Sequence, residues 1–324
     1  MAGRLKRTVE ITETEYTDTV FYRFITEKEA IGLVSKTIQQ YKDAYKKFST
    51  FFGDEAERIG DIYGGMFPTW TAAMRKEGLA TASINSYLSA MRSFMYWCME
   101  PNHEYLNEHF KLRLIKAQET PPKDYTNEEI KLLIKKPDKK ARFLEWRFWA
   151  MACFALGTGA RIGTMAEIQI KDIDLKNAKV FYRHTKSKRL QNANLPPQLI
   201  RVLTEYINTW RTVDTQPEDY LFCGIDGEKA NIDTLRQGYG VFAKSRGVNK
   251  TSIHGLRHTF ARIWFENGGD VVQLSKILGH TTLTMSEHYM NAFADMAKER
   301  FIAYNPLETI GHKGAKKGVK KNKD

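Results

Sequence analysis

His254-Gly255-Leu256-Arg257-His258-Thr259-Phe260, followed by Leu278-Gly279-His280 and then by Tyr289, is the stretch on which the reading of this chain turns. Leu256, Phe260, Ile263 and Trp264 recur at three- and four-residue steps, which predicts a helix capped by Ser252. His254 and Arg257 lie three residues apart on a neighbouring face of that helix, so two proton-donating side chains point the same way. Asp270 opens a second predicted helix with Val271, Leu274 and Leu278 inward. Gly279 suits the left-handed position that ends it, which places His280 just beyond a rigid helix end.

Working outward, a second arginine stands in Gly157-Thr158-Gly159-Ala160-Arg161-Ile162-Gly163, directly after the apolar stretch 148–156. The non-bridging oxygens of a phosphodiester gain charge when a nucleophile adds, and a catalyst of that step needs several fixed donors around one phosphate. Arginine suits the task, because its planar fork holds two oxygens and stays charged at any relevant pH. Arg161, Arg257, His254 and His280 form such a donor set. His254 and His258 also have the spacing of helical metal ligands, but the Glu of H-E-x-x-H is absent, so no metal is expected and His258 is read as structural. G-x-x-x-x-G-K-[ST] does not occur, and no cofactor is expected.

In order and spacing these elements resemble the tyrosine recombinase family of phage integrases, Cre and the Xer recombinases. That family's signature is an Arg in a Gly-rich turn, a Lys on a β-hairpin, His-x-x-Arg, Leu-Gly-His, and a Tyr nine residues further on. Here they are Arg161, a lysine in the 186–188 hairpin, His254 with Arg257, Leu278-Gly279-His280, and Tyr289. The resemblance spans about residues 125 to 300 and implies that Tyr289 attacks the scissile phosphate, leaving a 3′-phosphotyrosyl bond and a free 5′-hydroxyl. A phenol of pKa near 10 is a poor nucleophile at neutral pH, so the donor set must assist it. The hairpin lysine would protonate the departing 5′ oxygen. Counting forward from the strand selects Lys186, counting back from Pro196 selects Lys188, and Lys186 is preferred. One departure stands out: the family commonly has a carboxylate three residues after the first arginine, where this chain has Thr164. Glu167 or another acid would have to support Arg161 instead.

The expected fold is mainly α, with one small β-hairpin. Residues 1–20 form a short extension, 20–115 a helical core-binding domain, 116–125 a linker marked by Pro121 and Pro122, and 126–310 the catalytic domain. In the first domain, Ile38, Tyr41, Tyr45, Phe48 and Phe51 form one helical stripe between Ser35 as cap and Gly53. Ile84, Tyr87, Leu88, Met91, Met95 and Cys98 form another, capped by Thr81 or Ser83. Thr126 and Glu129 make a capping-box pattern at the start of the second domain. The hairpin runs from 179–185 to 192–195. Phe293, Met296, Ala297, Phe301 and Ile302 outline a short amphipathic helix after Tyr289, which the resemblance implies docks into a neighbouring protomer. The last fourteen residues hold six lysines and no aromatic group, a composition expected to stay disordered.

A chain of 324 residues with 42% hydrophobic content can fill two cores, and 50 Lys and Arg against 38 Asp and Glu give a net charge of +12, favouring a polyanionic partner. Cys98, Cys153 and Cys223 form neither a C-x-x-C pair nor an even set, which fits a reducing cytoplasm, at the nucleoid. No export or membrane signal is present. The resemblance further implies double-stranded DNA as partner, with inverted core half-sites, and a homotetramer exchanging strands in pairs. About twenty residues precede the first helical domain, too few for the arm-binding domain of many integrases, so a simpler recombinase of a mobile element is expected. Two other readings stay open: a type IB topoisomerase, which relaxes DNA as a monomer, and a non-catalytic DNA-binding protein of the same fold.

Overall fold

The computed structural model describes residues 15–116, 124–183, 191–211 and 215–279. The chain divides into two compact units, Met1–Glu119 and Thr120–Asp324. Lys186, Lys188, His280, Tyr289, both linker prolines, the amphipathic stretch 293–302 and the lysine-rich end lie outside the described residues.

The first unit holds four α-helices among its described residues: α1 (Thr17–Ala30), α2 (Ser35–Phe52), α3 (Met66–Lys76) and α4 (Thr81–Cys98). Its core is aromatic, with Phe24, Phe48, Trp70 and Phe94 all at most 1% exposed. The Phe94 ring meets Phe21 edge-on at 5.1 Å, and Phe48 meets Trp70 edge-on at 5.3 Å, the arrangement that ring quadrupoles favour. The expected stripe of α4 is buried from Ile84 to Cys98, with Tyr87 partly so. On α2 the stripe drifts at its end. Phe51 is exposed, and Phe52 turns to the core instead. The predicted caps are displaced as well. Val34 and Ala80 occupy the cap positions with extended backbone, while Ser35 and Thr81 are the first helical residues and cap nothing. Gly53 does end α2, at φ 51°.

The second unit is built around α6 (Phe143–Thr158), longer at both ends than the apolar stretch that announced it. Trp146, Phe148, Trp149, Met151, Phe154 and Ala155 bury nearly every face of it, as befits a central helix. α8 (Pro197–Trp210), α9 (Ile232–Ser245) and α10 (Ile253–Glu266) pack around it. α5 (Asn127–Leu133) begins with the predicted capping box. Thr126 Oγ1 accepts from the Glu129 amide at 3.2 Å, and Glu129 returns a 2.8 Å acceptance from the Thr126 amide. The short α7 (Ile162–Met165) follows Arg161, and α11 (Val271–Leu278) follows α10.

The hairpin is present as β2 (Lys179–Tyr182) paired antiparallel with β3 (Gln191–Asn194), Val180 opposite Ala193. A third strand, β1 (Ile173–Asp174), extends the sheet in the order β1-β2-β3. Val180 and Tyr182 alternate inward, so β2 is registered on the core and its far end leads directly into 184–190.

Gly159 closes α6 in the left-handed conformation, φ 66°. A Cβ there would stand 2.5 Å from Leu278 Cδ2 and 2.8 Å from Phe260 Cδ1, so the end of α6 is pressed against both α10 and α11. Gly159→Ala combines a disfavoured backbone with an overpacked contact, and is expected to cost about 2–4 kcal/mol. A denaturant melt within 1 kcal/mol of the parent would contradict that packing.

Candidate active site

Three helix ends meet where the sequence places its arginines. Arg257, on the second turn of α10, is only 3% exposed. Its Nη1 donates to Gly159 O at 2.7 Å and its Nη2 to Leu278 O at 2.9 Å. Arg161, at the start of α7, donates from Nη1 to the same Leu278 O at 3.3 Å. These acceptors end α6 and α11, where helix carbonyls lack helical partners and carry the negative end of the macrodipole. Two guanidinium groups, 96 residues apart in sequence (257 − 161), are thereby gathered on one carbonyl oxygen. That oxygen belongs to the residue before Gly279, whose left-handed backbone, φ 62° and ψ 47°, ends α11 as predicted and directs the chain toward position 280.

His254 lies one turn before Arg257 and keeps an exposed edge. Its imidazole is pushed down to about 4, first by partial removal from water and then by the charges of His258, Arg257 and Arg161. The ring therefore stays neutral at physiological pH, in a neighbourhood that is already cationic. His258 meets His254 edge-on at 4.7 Å, half-buried, and it too is shifted downward by burial and by Arg257. Ser252 stands at the cap position of α10 but makes no side-chain cap hydrogen bond. Asp270 does cap α11, accepting from the Gln273 amide at 2.9 Å.

Glu167 was the candidate to support Arg161 in place of the carboxylate missing at Thr164. Its carboxylate instead pairs with Lys229 at 2.7 Å. Glu167 lies two residues beyond the end of α7 at Met165. Sequence reasoning also passed over Tyr182 and Thr158. Tyr182, at the end of β2, is 6% exposed, and its hydroxyl is buried beside Thr158 and Arg257. Burial pushes the phenol up to about 12. The strand alternation was the available signal, since it turns every second residue of 179–182 inward.

The arrangement gathers donors and positive charge around one point, with neutral imidazole beside it, and suits a bound phosphate diester. Residues 123–296 match the phage integrase family, and residues 21–102 match the N-terminal SAM-like domain of phage integrases. The chain belongs to the phage integrase family. It is thus a tyrosine recombinase by family, and its fold is that of the group. Tyrosine recombinase XerA of Pyrococcus furiosus is 27% identical over 301 residues, which cover 90% of this chain and 96% of that protein. The Tn1549 transposon integrase in complex with transposon right end DNA superposes with a TM-score of 0.70 at 16% identity, covering 90% of this chain and 99% of that one. The XerH recombinase bound to palindromic difH substrate gives 0.67 at 19% identity, covering 87% and 84%.

Because the folded-state pKa of His254 lies below the ordinary 6.5, protons bind the unfolded chain more readily. Stability owed to the neutral ring is complete above pH 6.5 and is lost as pH falls from there toward 4. In a titration followed by NMR, the His254 imidazole of the DNA-free chain is expected to have its midpoint well below 6.5. A bound phosphate diester should raise that midpoint by about one unit or more. A midpoint at 6.5 that DNA does not move would place His254 away from the arginine pair.

Proposed function

We propose that this integrase cuts and rejoins duplex DNA at specific sites, with Tyr289 as nucleophile. The observation that carries the reading is the convergence of Arg161 and Arg257 on Leu278 O, with His254 one turn away. The phenol of Tyr289 gives up its proton to a neutral imidazole, His254 or His280, as its oxygen adds to the scissile phosphorus and the bond to the 5′ oxygen breaks. The products are a 3′-phosphotyrosyl link and a 5′-hydroxyl, and no bond energy is lost to water. Arg161, Arg257, His254 and His280 neutralise the charge that grows on the non-bridging oxygens. Lys186, or Lys188 in its place, gives the leaving oxygen its proton. Attack by a 5′-hydroxyl from another strand reverses the step and completes the exchange. β2 supports the lysine's role, because it delivers the 184–190 segment from beside Arg257.

The partner in this reading is double-stranded DNA carrying inverted half-sites, bound by four copies of the chain that exchange strands in pairs. The palindromic substrate of XerH and the transposon end held by the Tn1549 integrase support a two-fold site and a mobile-element setting. The net charge of +12 suits the phosphate backbone. The site of action is the nucleoid.

Tyr289→Phe keeps the ring and removes the attacking oxygen. DNA binding should persist while the covalent adduct vanishes, and an SDS-stable protein–DNA complex from this variant would assign the nucleophile elsewhere. For the acid, a substrate whose bridging 5′ oxygen is replaced by sulfur hardly needs a proton on its leaving group. Lys186→Ala should cleave ordinary DNA at least ~100-fold more slowly and recover on the sulfur substrate, with Lys188→Ala unaffected on both. Recovery of Lys188→Ala alone would exchange the two lysines, and recovery of neither would move the acid off the hairpin.

A further inference from the structure

The helix that carries His254 begins weakly. Ser252 stands at the cap position of α10 without a side-chain cap bond, and Gly255 adds backbone freedom to the same first turn. The amides of a first turn lack helical partners, and helix ends open before helix middles do. Arg257, one turn on, does not share the weakness, because Gly159 O and Leu278 O hold its guanidinium. The first turn is reinforced from outside the helix by Tyr125, itself 1% exposed. The Tyr125 hydroxyl is shared between Ser252 O at 2.9 Å and Lys250 O at 3.1 Å, carbonyls two and four residues before His254. Burial raises this phenol above its ordinary value, so it remains a donor. The main chain of the same residue is fastened further along α10, its amide donating to Thr259 Oγ1 and its carbonyl accepting from Arg262 Nη2, both at 2.8 Å. Those two bonds fix Tyr125, and the hydroxyl passes that fixity to the main chain leading into α10.

We propose that Tyr125 is a positioning residue whose hydroxyl seats His254 beside the two arginines, by holding the main chain that enters α10. The proposal rests on the reading that His254 serves the scissile phosphate. Ile253 lies in the core at 4% exposure, so loss of the hydroxyl does not detach the turn. An apolar seat resists withdrawal but not rotation or fraying about itself, and His254 is the polar side chain that such motion displaces. A displaced His254 gains water and distance from the charges of His258, Arg257 and Arg161, so its imidazole takes up protons more easily. Arg161 and Arg257 stay where Leu278 O holds them. One lost buried hydrogen bond shifts a local equilibrium of this kind by about 5-fold. That slows a step needing the ring in place and leaves the affinity for DNA as it was.

The test compares Tyr125→Phe with Arg262→Gln in the full-length chain. The readouts are the His254 midpoint of the DNA-free protein by NMR and the rate of SDS-stable adduct on a duplex that the parent chain enriches from a randomised pool. Tyr125→Phe removes one hydroxyl and should raise the midpoint by about half a pH unit or more. Adduct formation should slow about 5-fold, with duplex affinity unchanged. Arg262→Gln loosens Tyr125 from its other attachment, about two turns beyond His254, and should leave the midpoint in place. Should Tyr125→Phe fail to fold, Lys250→Met weakens the same turn from the surface, where Lys250 Nζ donates to Asp124 O at 2.8 Å and to Glu129 Oε2 at 3.0 Å, and should raise the midpoint to a smaller extent. A midpoint that the folded variant of Tyr125 or Lys250 does not move overturns the proposal. An equal shift from Arg262→Gln overturns it too, since Tyr125 would then only stabilise the fold. His254→Ala forming adduct at the parent rate overturns the reading of the site instead, and the midpoint still decides whether the hydroxyl seats the ring.

Discussion

Three helices of the second unit are tied together through a buried cation. Arg257 donates to Gly159 O and Leu278 O, and so ties the C-terminal ends of α6 and α11 to the side of α10. A guanidinium removed from water survives only where its N–H groups are met by strong acceptors, and unsatisfied helix-terminal carbonyls are the strongest the backbone offers. Both helices end in left-handed glycines, which turn the chain sharply and leave those carbonyls free to point at the arginine. Gly159, the arginine and the Leu278 carbonyl therefore constrain one another. Arg161 joins through the same oxygen, so the placing of the two arginines is inherited from helix packing.

Much of this was legible in the sequence because the signals were local and strong. The capping box at Thr126, the Asp270 cap, the glycine after Leu278 and the stripe of α4 each involve residues within a turn or two of one another. The displaced caps of α2 and α4 show where local signals lose. A capping hydroxyl contributes about 1 kcal/mol, less than a helix gains by burying its apolar face, so a helix starts where packing sets it and Ser35 and Thr81 fall one residue inside. Phe51 failed for a related reason. A stripe counted at fixed steps drifts around the helix, and by the last turn Phe52 is the residue facing the core.

Other features could not be read at all. A two-residue strand such as β1 has too few positions to display an alternation. The partner of Glu167, Lys229, lies 62 residues further on (229 − 167). The burial of Tyr182 beside Arg257 joins residues 75 apart (257 − 182), and nothing in the composition of β2 distinguishes that tyrosine from fourteen others. The types of residue in the candidate site were evident, and their second neighbours were not.

The attachment of residues 124 and 125 to α10 has a consequence in time rather than space. The Tyr125 amide donates to Thr259 Oγ1 at 2.8 Å, Tyr125 O accepts from Arg262 at 2.8 Å, and Arg262 pairs with Asp124 at 2.5 Å. These contacts close loops of more than 130 residues, which are slow to form. During synthesis the opening of the second unit must wait for α10, and Arg257 must wait for Leu278 to leave the ribosome. A nascent chain completes its first unit well before it owns a paired set of arginines. The first unit's aromatic core is therefore closed early and the pairing of the arginines on Leu278 O comes late.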